Sequence, residues 1–445
     1  MIFFPRSPLI PNPPKPIRRG DPVPVDLRPM IHAAEDIGYF ENRPMTGPEL
    51  MKLRSRFGDR VVFYSGQTLS VALFNWNDVK RVLSSDSSDF IKGPFESVIG
   101  AGVGWGLLTQ EGSEHTRQRH KFNPSFHSSA MHLMSPQIEH SFAQLRPTFA
   151  SESGFEVLAS LRKLTHQITL RGILGVLDME ADERFEKELF VLARFMTQGS
   201  FPTNSTSEMG LDDYVVARDR FLEHVDDITK RIVAGTNIAE SSFGDYLGKE
   251  HSGPISRGEG THAQVAQFLS AGTETTASLI ASMLYLHTQT PDDWQNLRRA
   301  AEASDSFEFD ARLDEALRLF PPAAISTRVP IKPVELEGMT LPTGIQVFIS
   351  PYVTHRIDEY FENPHVYHWE RWLTSDRARG VGYFPFGFGP RMCIGYSAAR
   401  HTAKKVLRLF LSTFNPRQFQ KMPDFSEQFI VLGPKRSERL FFADL

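Results

Sequence analysis

The feature that most restricts this chain is its cysteine content, because its 445 residues include a single cysteine, Cys393. An intramolecular disulfide is therefore impossible, and so is any metal site that needs two thiolates from this chain. A metal that is bound through sulfur must use one thiolate, as some iron cofactors do. Any such chemistry is confined to the segment around Cys393.

Charge and composition exclude several classes of protein. Lys and Arg total 49 and Asp and Glu total 53, so the formal net charge is −4, which excludes a generally basic nucleic-acid-binding protein. Hydrophobic residues make up 40% and charged residues 23%, values that are typical of a globular chain and too apolar for disorder. No stretch fits a signal peptide or a membrane span. We expect a cytoplasmic protein with no membrane anchor and no nucleic-acid partner.

Periodicity predicts a mostly helical chain with small β-sheets, not a series of βαβ units. Nine prolines fall in residues 1–29, which we expect to be an extended N-terminal segment before a single domain over residues 30–445. The main predicted helices cover residues 48–57, 151–177, 182–197, 214–234, 261–286 and 394–414, within a mostly helical stretch from 78 to 318. Strands are predicted at residues 61–64 and 69–74, within 329–352 and towards the C-terminus.

A glycine-rich loop at residues 384–395 carries the cysteine. Gly387 and Gly389 permit a tight, non-helical turn. Cys393 then lies near a predicted helix N-terminus, where unpaired N–H groups and the helix dipole favour a thiolate. Gly395 leaves room for a flat cofactor beside the backbone. A lone cysteine is more often buried and inert, but the flanking glycine and arginine spacing favours a thiolate ligand.

A second group of polar residues interrupts an apolar helix at residues 271–276. Gly272 in mid-helix costs about 1 kcal/mol relative to Ala. Thr275 follows Ala271 by four residues, so its hydroxyl can bond the Ala271 carbonyl and loosen the helix. Glu274 beside such a distortion is unusual for a purely structural helix. The plain alternative is a tolerated glycine with surface threonine and glutamate side chains.

These motifs together resemble the cytochrome P450 family. The loop matches its haem-binding pattern Phe-Gly-x-Gly-x-Arg-x-Cys-x-Gly, from Phe386 onwards, at every fixed position. The resemblance implies a mainly α fold with small β-sheets, the cytochrome P450 fold, which has a triangular helical body and a smaller β-rich lobe. It also implies haem b (iron protoporphyrin IX), with Cys393 as the axial metal ligand. Phe386 would contact the cofactor, and Arg391 would pair with a haem propionate.

The resemblance assigns roles to the helical motif as well. Gly272 would open a groove for dioxygen, Thr275 would hydrogen-bond the bound oxygen species, and Glu274 would help to relay protons. His115 and Arg119, at i and i+4, resemble a pair that meets the haem propionates, and Arg328 matches the position of another propionate partner. Outside the family, each such cation would be an ordinary solvated side chain. A zinc site at His115, His120 and His127, or at His365 with His368, lacks supporting ligands at helical spacing.

A Glu-x-x-Arg pair, Glu315 and Arg318, resembles the structural motif of the family and is expected to form a buried triad with Arg371. The spacing alone is weak, because Glu114 and Arg117 share it. The substrate pocket is expected at five mainly apolar segments. They are residues 95–108, 190–201, 268–272, 323–326 and 429–430.

The function implied by the resemblance is that of a soluble, bacterial-type haem-thiolate monooxygenase. It would activate O2 with two electrons from an external donor of ferredoxin or flavoprotein type, and hydroxylate an apolar small molecule. A basic docking face for the donor is expected at Arg117, Lys121, Lys404, Lys405 and Arg408. Desaturation or ring coupling could replace hydroxylation. The alternatives are a peroxide-driven peroxygenase and a non-enzymatic haem-binding sensor or carrier. The presence of the acid Glu274 beside the alcohol Thr275 disfavours both.

Overall fold

The computed structural model describes most of the chain. The described residues are 14–23, 27–28, 31, 46–65, 67–93, 99–100, 102–179, 188, 211–240, 242–303, 307–373, 380–428, 431–434 and 438–445. Two predicted pocket segments, residues 190–201 and 429–430, lie outside them. So do most of the predicted helix at 182–197 and part of the proline-rich segment, so these predictions remain untested.

Helices dominate the described residues, as the periodicity predicts. In chain order they are α1 (Gly47–Phe57), α2 (Trp76–Lys80), α3 (Gly112–Phe122), α4 (Ser135–Phe149), α5 (Val157–Ile168), α6 (Leu211–Ala234), α7 (Phe243–Glu250), α8 (Gly260–His287), α9 (Pro291–Glu302), α10 (Phe307–Leu319), α11 (Pro351–Thr354) and α12 (Tyr396–Thr413). The predictions at 48–57, 214–234, 261–286 and 394–414 are confirmed to within a few residues. None of the helices in these ranges is long and apolar enough to cross a membrane.

Local sequence explains where several helices begin. At α1, the Thr46 side chain accepts from the Glu49 backbone, and the Thr46 N–H donates 2.8 Å to the Glu49 carboxylate, which forms a capping box. At α9, the Thr290 hydroxyl caps the helix and Pro291 occupies the first turn, where its missing N–H costs nothing.

Within the described residues, the strands form one five-stranded sheet and four two-stranded sheets. They are β1 (Arg60–Ser65), β2 (Thr68–Leu73), β3 (Phe90–Lys92), β4 (Phe155–Glu156), β5 (Ser326–Pro330), β6 (Val334–Leu336), β7 (Met339–Leu341), β8 (Gln346–Ile349), β9 (Phe414–Pro416), β10 (Phe425–Gln428), β11 (Val431–Pro434), β12 (Arg439–Leu440) and β13 (Phe442–Asp444). The larger sheet has the order β1-β2-β8-β5-β3, in which only β2 and β8 pair in parallel. The smaller sheets pair β10 with β11, β12 with β4, β13 with β9, and β6 with β7.

Two short strands correct the sequence prediction. The predicted helix at 151–177 begins only at Val157, after β4, and ends in a π-helical turn, Thr169–Ile173. Strand β3 lies in a stretch that was expected to be mostly helical. Both strands pair with segments far away in sequence, β12 and β5 respectively. Local periodicity cannot reveal such partners.

Helix α8 passes through the main hydrophobic core. Every residue from 276 to 287 is buried, as expected of a helix that is surrounded on all sides. Residues 270–272, 274 and 275 are less buried, and this part of the helix borders a cavity. A second core lies between the five-stranded sheet and β6–β7, and Phe384 packs into it from the cysteine loop.

Candidate functional site

A cavity of about 390 Å³ lies between the middle of α8 and the loop that precedes α12. Its volume lies in the range of small-molecule sites, roughly 300–1,000 Å³. Eight of the nine predicted site residues line it; the exception is Glu274. The eight residues that line the cavity are His115, Arg119, Gly272, Thr275, Arg328, Phe386, Arg391 and Cys393. The described parts of the predicted pocket segments contribute Leu107, Leu108, Phe268, Ala271, Ala323 and Ser326.

The cysteine loop is a tight turn that its glycines make possible. Gly387 and Gly389 have φ of +75° and +71°, the left-handed region that favours glycine. A Cβ at Gly389 would also overlap the Leu83 carbonyl oxygen. The Cys393 N–H donates to the Phe386 carbonyl at 2.8 Å. The main chain of the loop itself therefore fixes the position of Cys393.

The Cys393 side chain is accessible from this cavity. Burial of the site raises the pKa of its thiol, although the Gly395 backbone hydrogen bond and the charge of Arg119 act in the opposite direction. Desolvation thus opposes the stabilisation of a thiolate that is expected from the helix terminus. A coordinating metal would deprotonate this sulfur.

Gly395 indicates what can lie against the sulfur. Its φ is −80°, so the backbone does not require glycine. A Cβ there would meet only the Cys393 Sγ, at 3.8 Å, among the atoms described. Contacts with the protein therefore do not require glycine at this position either. A flat group bound over the sulfur would require it, because a side chain there would occupy the same space. This cradle fits a haem on Cys393.

Cations cluster at one end of the cavity. The register of β3 and β5 places Lys92 directly opposite Arg328, an arrangement of like charges that destabilises a sheet. Both residues line the cavity together with His115, Arg119 and Arg391. Burial, with the charges of Arg391, Lys92 and Arg119, lowers the pKa of His115 to about 3. The cluster suits an anionic group such as the carboxylates of haem. Sequence reasoning missed Lys92, because only tertiary pairing brings it here.

Arg391 is positioned by protein groups at this end. Its guanidinium donates to the Gln110 carbonyl at 2.6 Å and pairs with the Glu111 carboxylate. Glu111 also accepts from the Lys92 backbone N–H at 2.8 Å. These contacts hold Arg391 at the cavity lining, and its role towards a propionate stays a prediction.

Helix α5 contacts the polar turn of α8. The Thr275 hydroxyl donates to the Ala271 carbonyl at 2.8 Å, as the spacing predicts. The Thr165 hydroxyl donates to the Thr273 carbonyl, also at 2.8 Å. A Cβ on Gly272 would lie 2.7 Å from the Thr169 hydroxyl oxygen, so the close approach of the two segments requires glycine.

Glu274 is the predicted site residue that does not reach the cavity. Its carboxylate accepts from Arg162 of α5 at 2.8 Å, and the two side chains are 15% and 5% exposed. In the described arrangement the acid therefore faces α5. A proton-relay role for Glu274 stays a prediction, and no local motif indicated that Arg162 is its partner.

Two buried glutamines attach the loop at 104–109 to α8. Gln264 Oε1 accepts from the Leu107 N–H at 3.1 Å, and Gln267 Oε1 accepts from the Leu108 N–H at 2.8 Å. Gln267 Nε2 donates to the Gly104 carbonyl at 2.7 Å. Leu107 and Leu108 both line the cavity, so these amides fix part of its wall. Sequence reasoning missed both glutamines.

The predicted triad beside the loop is confirmed. Glu315 and Arg318 are fully buried and form two hydrogen bonds of 2.8 and 2.9 Å. Arg371 adds a 3.2 Å contact to Glu315. The pair with the same spacing, Glu114 and Arg117, is exposed on α3.

The expected docking cations mostly have acidic neighbours. Lys404 lies 2.7 Å from Asp310, Lys405 pairs with Glu139, Lys121 pairs with Glu250, and Arg117 pairs with Glu114. The surface is therefore less positive than the sequence suggested. For the three lysines the physical reason is that helices far apart in sequence bring acidic residues next to them, whereas Glu114 and Arg117 lie on the same helix.

A mainly helical body with one cysteine thiol in a cavity beside a Gly–Thr turn defines the class of haem-thiolate enzymes. The chain belongs to the cytochrome P450 family, because the family model "Cytochrome P450" matches residues 37–441. It is thus a cytochrome P450 monooxygenase, and this family binds haem b through a thiolate. The predicted domain boundary at residue 30 stays a prediction.

Three relatives show the breadth of the similarity. Cytochrome P450 137 of Mycobacterium tuberculosis is 24% identical over 460 residues, which cover 95% of this chain and 90% of the relative. Cyclooctatin synthase of Streptomyces melanosporofaciens is 29% identical over 331 residues, 68% of this chain and 71% of the relative. The 11-oxo-beta-amyrin 30-oxidase of Glycyrrhiza uralensis is 27% identical over 423 residues, 85% and 80% respectively.

Proposed function

We propose that this enzyme hydroxylates an apolar small organic molecule, using O2 and two electrons from an external donor of ferredoxin or flavoprotein type. The observation that carries the proposal is a single cavity that Cys393 lines on one wall and Gly272 and Thr275 on another. Much of the remaining lining is apolar, with Leu107, Phe268 and other side chains. Such a lining selects apolar ligands and excludes water.

The residues at the cavity suit haem. Cys393 would supply the axial sulfur, and Lys92, His115, Arg119, Arg328 and Arg391 would hold its carboxylates. When bound, haem supplies the activation of dioxygen, in which one oxygen atom enters the substrate and the other leaves as water.

The residues of α8 would leave room for dioxygen and assist proton transfer. Gly272 leaves the lining free of a side chain, and the Thr275 hydroxyl can donate a hydrogen bond into the cavity once it leaves the Ala271 carbonyl. Glu274 would pass a proton only after its carboxylate separates from Arg162, 2.8 Å away. The ion pair with Arg162 thus holds the Glu274 carboxylate outside the cavity between proton transfers.

The experiment that tests the function begins with a screen of apolar compounds for a shift of the haem absorption band. A compound that shifts the band is then supplied with reductant, an electron donor and isotopically labelled O2. We expect one labelled oxygen atom in the product and reductant use that depends on the compound. Equal turnover with peroxide alone would favour the peroxygenase, and binding without turnover would favour a sensor or carrier.

A matched pair of threonine variants tests the role of α8. Thr273 donates the same type of bond to the Leu269 carbonyl, at 2.7 Å, but does not line the cavity. We expect Thr275→Ala to lower the product formed per reductant consumed, and Thr273→Ala to leave that ratio unchanged. Equal ratios in both variants would remove Thr275 from the proposed mechanism.

The electron donor would approach the surface that carries Lys404 and Lys405. The partial neutralisation of these cations by Asp310 and Glu139 predicts a modest salt dependence of reduction. Charge reversal of both lysines should slow reduction by an acidic donor. An unchanged reduction rate would place the donor elsewhere.

A further inference from the structure

We propose that His355 is a positioning residue that ties the Cys393 loop to the buried Glu315–Arg318 pair. The inference rests on the proposed role of Cys393 as the haem ligand. His355 does not line the cavity described above, so it would act through the loop backbone.

The two ring nitrogens of His355 have different and fixed partners. Nε2 lies 3.0 Å from the Phe384 backbone nitrogen, and Nδ1 lies 3.1 Å from the Arg318 carbonyl oxygen. A backbone N–H can only donate and a carbonyl can only accept, so Nε2 accepts and Nδ1 carries the proton. Both capacities of a neutral imidazole are thus used. The side chain is fully buried.

The main chain of His355 is also held by a hydrogen bond from Arg318. Arg318 Nη1 donates to the His355 carbonyl at 2.9 Å, while its other guanidinium nitrogens bind Glu315. The histidine is therefore linked to α10 through both its main chain and its ring. Because the Glu315–Arg318 pair has no exposed surface, it gives His355 a rigid base.

The link continues from Phe384 to the cysteine. The Phe384 carbonyl accepts from Gly387 N–H at 2.9 Å, and the Phe386 carbonyl accepts from Cys393 N–H at 2.8 Å. The Phe384 ring lies 5.4 Å from the His355 ring. The loop thus begins at a hydrogen bond to His355 and closes on the backbone of Cys393.

Electrostatics agree with this geometry. Burial lowers the pKa of His355 well below its ordinary value, and the charges of Arg318 and Arg356 act in the same direction. The ring therefore remains neutral at pH 7, which preserves Nε2 as an acceptor for Phe384. Loss of that acceptor would leave the Phe384 N–H buried without a partner, which is unfavourable.

Two variants separate the ring contacts. In His355→Gln, the amide oxygen can reach the position of Nε2 and accept from Phe384. In His355→Asn, the shorter amide can reach only the position of Nδ1 and donate to Arg318. The readout is the absorption spectrum of the reduced carbonyl complex of the holoenzyme, in which thiolate ligation gives a red-shifted band. Circular dichroism reports whether each variant folds.

We expect His355→Gln to keep most of the thiolate band and His355→Asn to lose most of it. A folded Gln variant with the band, beside an Asn variant that does not fold, also supports the proposal. Equal retention, equal loss, failure of both variants to fold, or the reverse order would overturn it. The wild type separates the two proposals, because absence of the band there contradicts the role of Cys393 itself.

Discussion

The two walls of the cavity are held in different ways. The cysteine loop is fixed by main-chain hydrogen bonds and by glycines that no other residue can replace without strain, and it is anchored near a buried ion pair. The α8 wall depends on individual side chains, which are Arg162 and Thr165 of α5 and Thr169 of the π-helical turn that follows it. Substitutions behind the loop should therefore disrupt the site as a unit, whereas those at α8 should have graded effects.

The largest difference should come from removal of the buried pair behind the loop. Arg318→Ala leaves Glu315 buried, with Arg371 as its remaining cationic partner among the residues that the structure describes. We expect a loss of about 3–5 kcal/mol in the free energy of unfolding, together with loss of bound haem. Denaturant unfolding of the holoenzyme measures the first effect and absorbance the second.

The matched control is Arg117→Ala, which breaks the exposed pair with the same spacing. It should cost at most about 1 kcal/mol. Similar losses in the two variants would show that burial does not distinguish these pairs.

A buried histidine at the C-terminal end of α8 predicts acid sensitivity of the fold. His287 Nε2 contacts the Tyr367 hydroxyl at 3.0 Å, and the whole residue is buried. Burial, with the charge of Arg312, lowers the pKa of His287 to about 3. Below pH ~6.5 the unfolded chain binds the extra proton first, so stability falls as pH decreases, by about 1.4 kcal/mol per pH unit.

Over two pH units this contribution reaches about 2.7 kcal/mol. Unfolding free energies of the wild type and His287→Gln at a series of pH values should converge as pH falls from about 6.5. Parallel curves for the two proteins would show that His287 does not carry this dependence.

The contact between Thr169, in the turn after α5, and Gly272 of α8 can be broken and then restored. Gly272→Ala places a methyl group 2.7 Å from the Thr169 hydroxyl, and overpacking costs roughly 1–3 kcal/mol. The higher helix propensity of Ala returns about 1 kcal/mol, so we expect a net loss of up to about 2 kcal/mol. The double variant Gly272→Ala with Thr169→Ala should regain most of it. Additive effects in this cycle would contradict the contact.

The contacts of Gln264 and Gln267 test whether the loop at residues 104–109, which forms part of the cavity lining, affects ligand binding. Gln267→Glu cannot donate to the Gly104 carbonyl, whereas in Gln264→Glu a rotated Gln118 amide can donate to the new carboxylate. We expect a phenyl-substituted imidazole to bind the first variant about tenfold more weakly, or ~1.4 kcal/mol. The second should bind it nearly as the wild type does. Equal affinities in a spectral titration would exclude a specific role for Gln267.

Contiguous motifs account for what the sequence could predict. The spacing around Cys393 and around Thr275 identified residues that line one cavity, because each motif lies on a single loop or helix. Lys92 and His355 were missed, since only distant pairing brings them to the site. The desolvation that raises the pKa of Cys393 was missed because burial cannot be read from a local motif. Arg162, the partner of Glu274, was missed for the same reason as Lys92.

The most direct test of the account is the reduced carbonyl spectrum of the haem-loaded wild type beside that of Cys393→Ser. The wild type should show the red-shifted band of thiolate ligation, and the variant should fold but lack that band. A wild type without the band, or a Cys393→Ser protein that retains it, would contradict the central claim that this cysteine binds the haem iron.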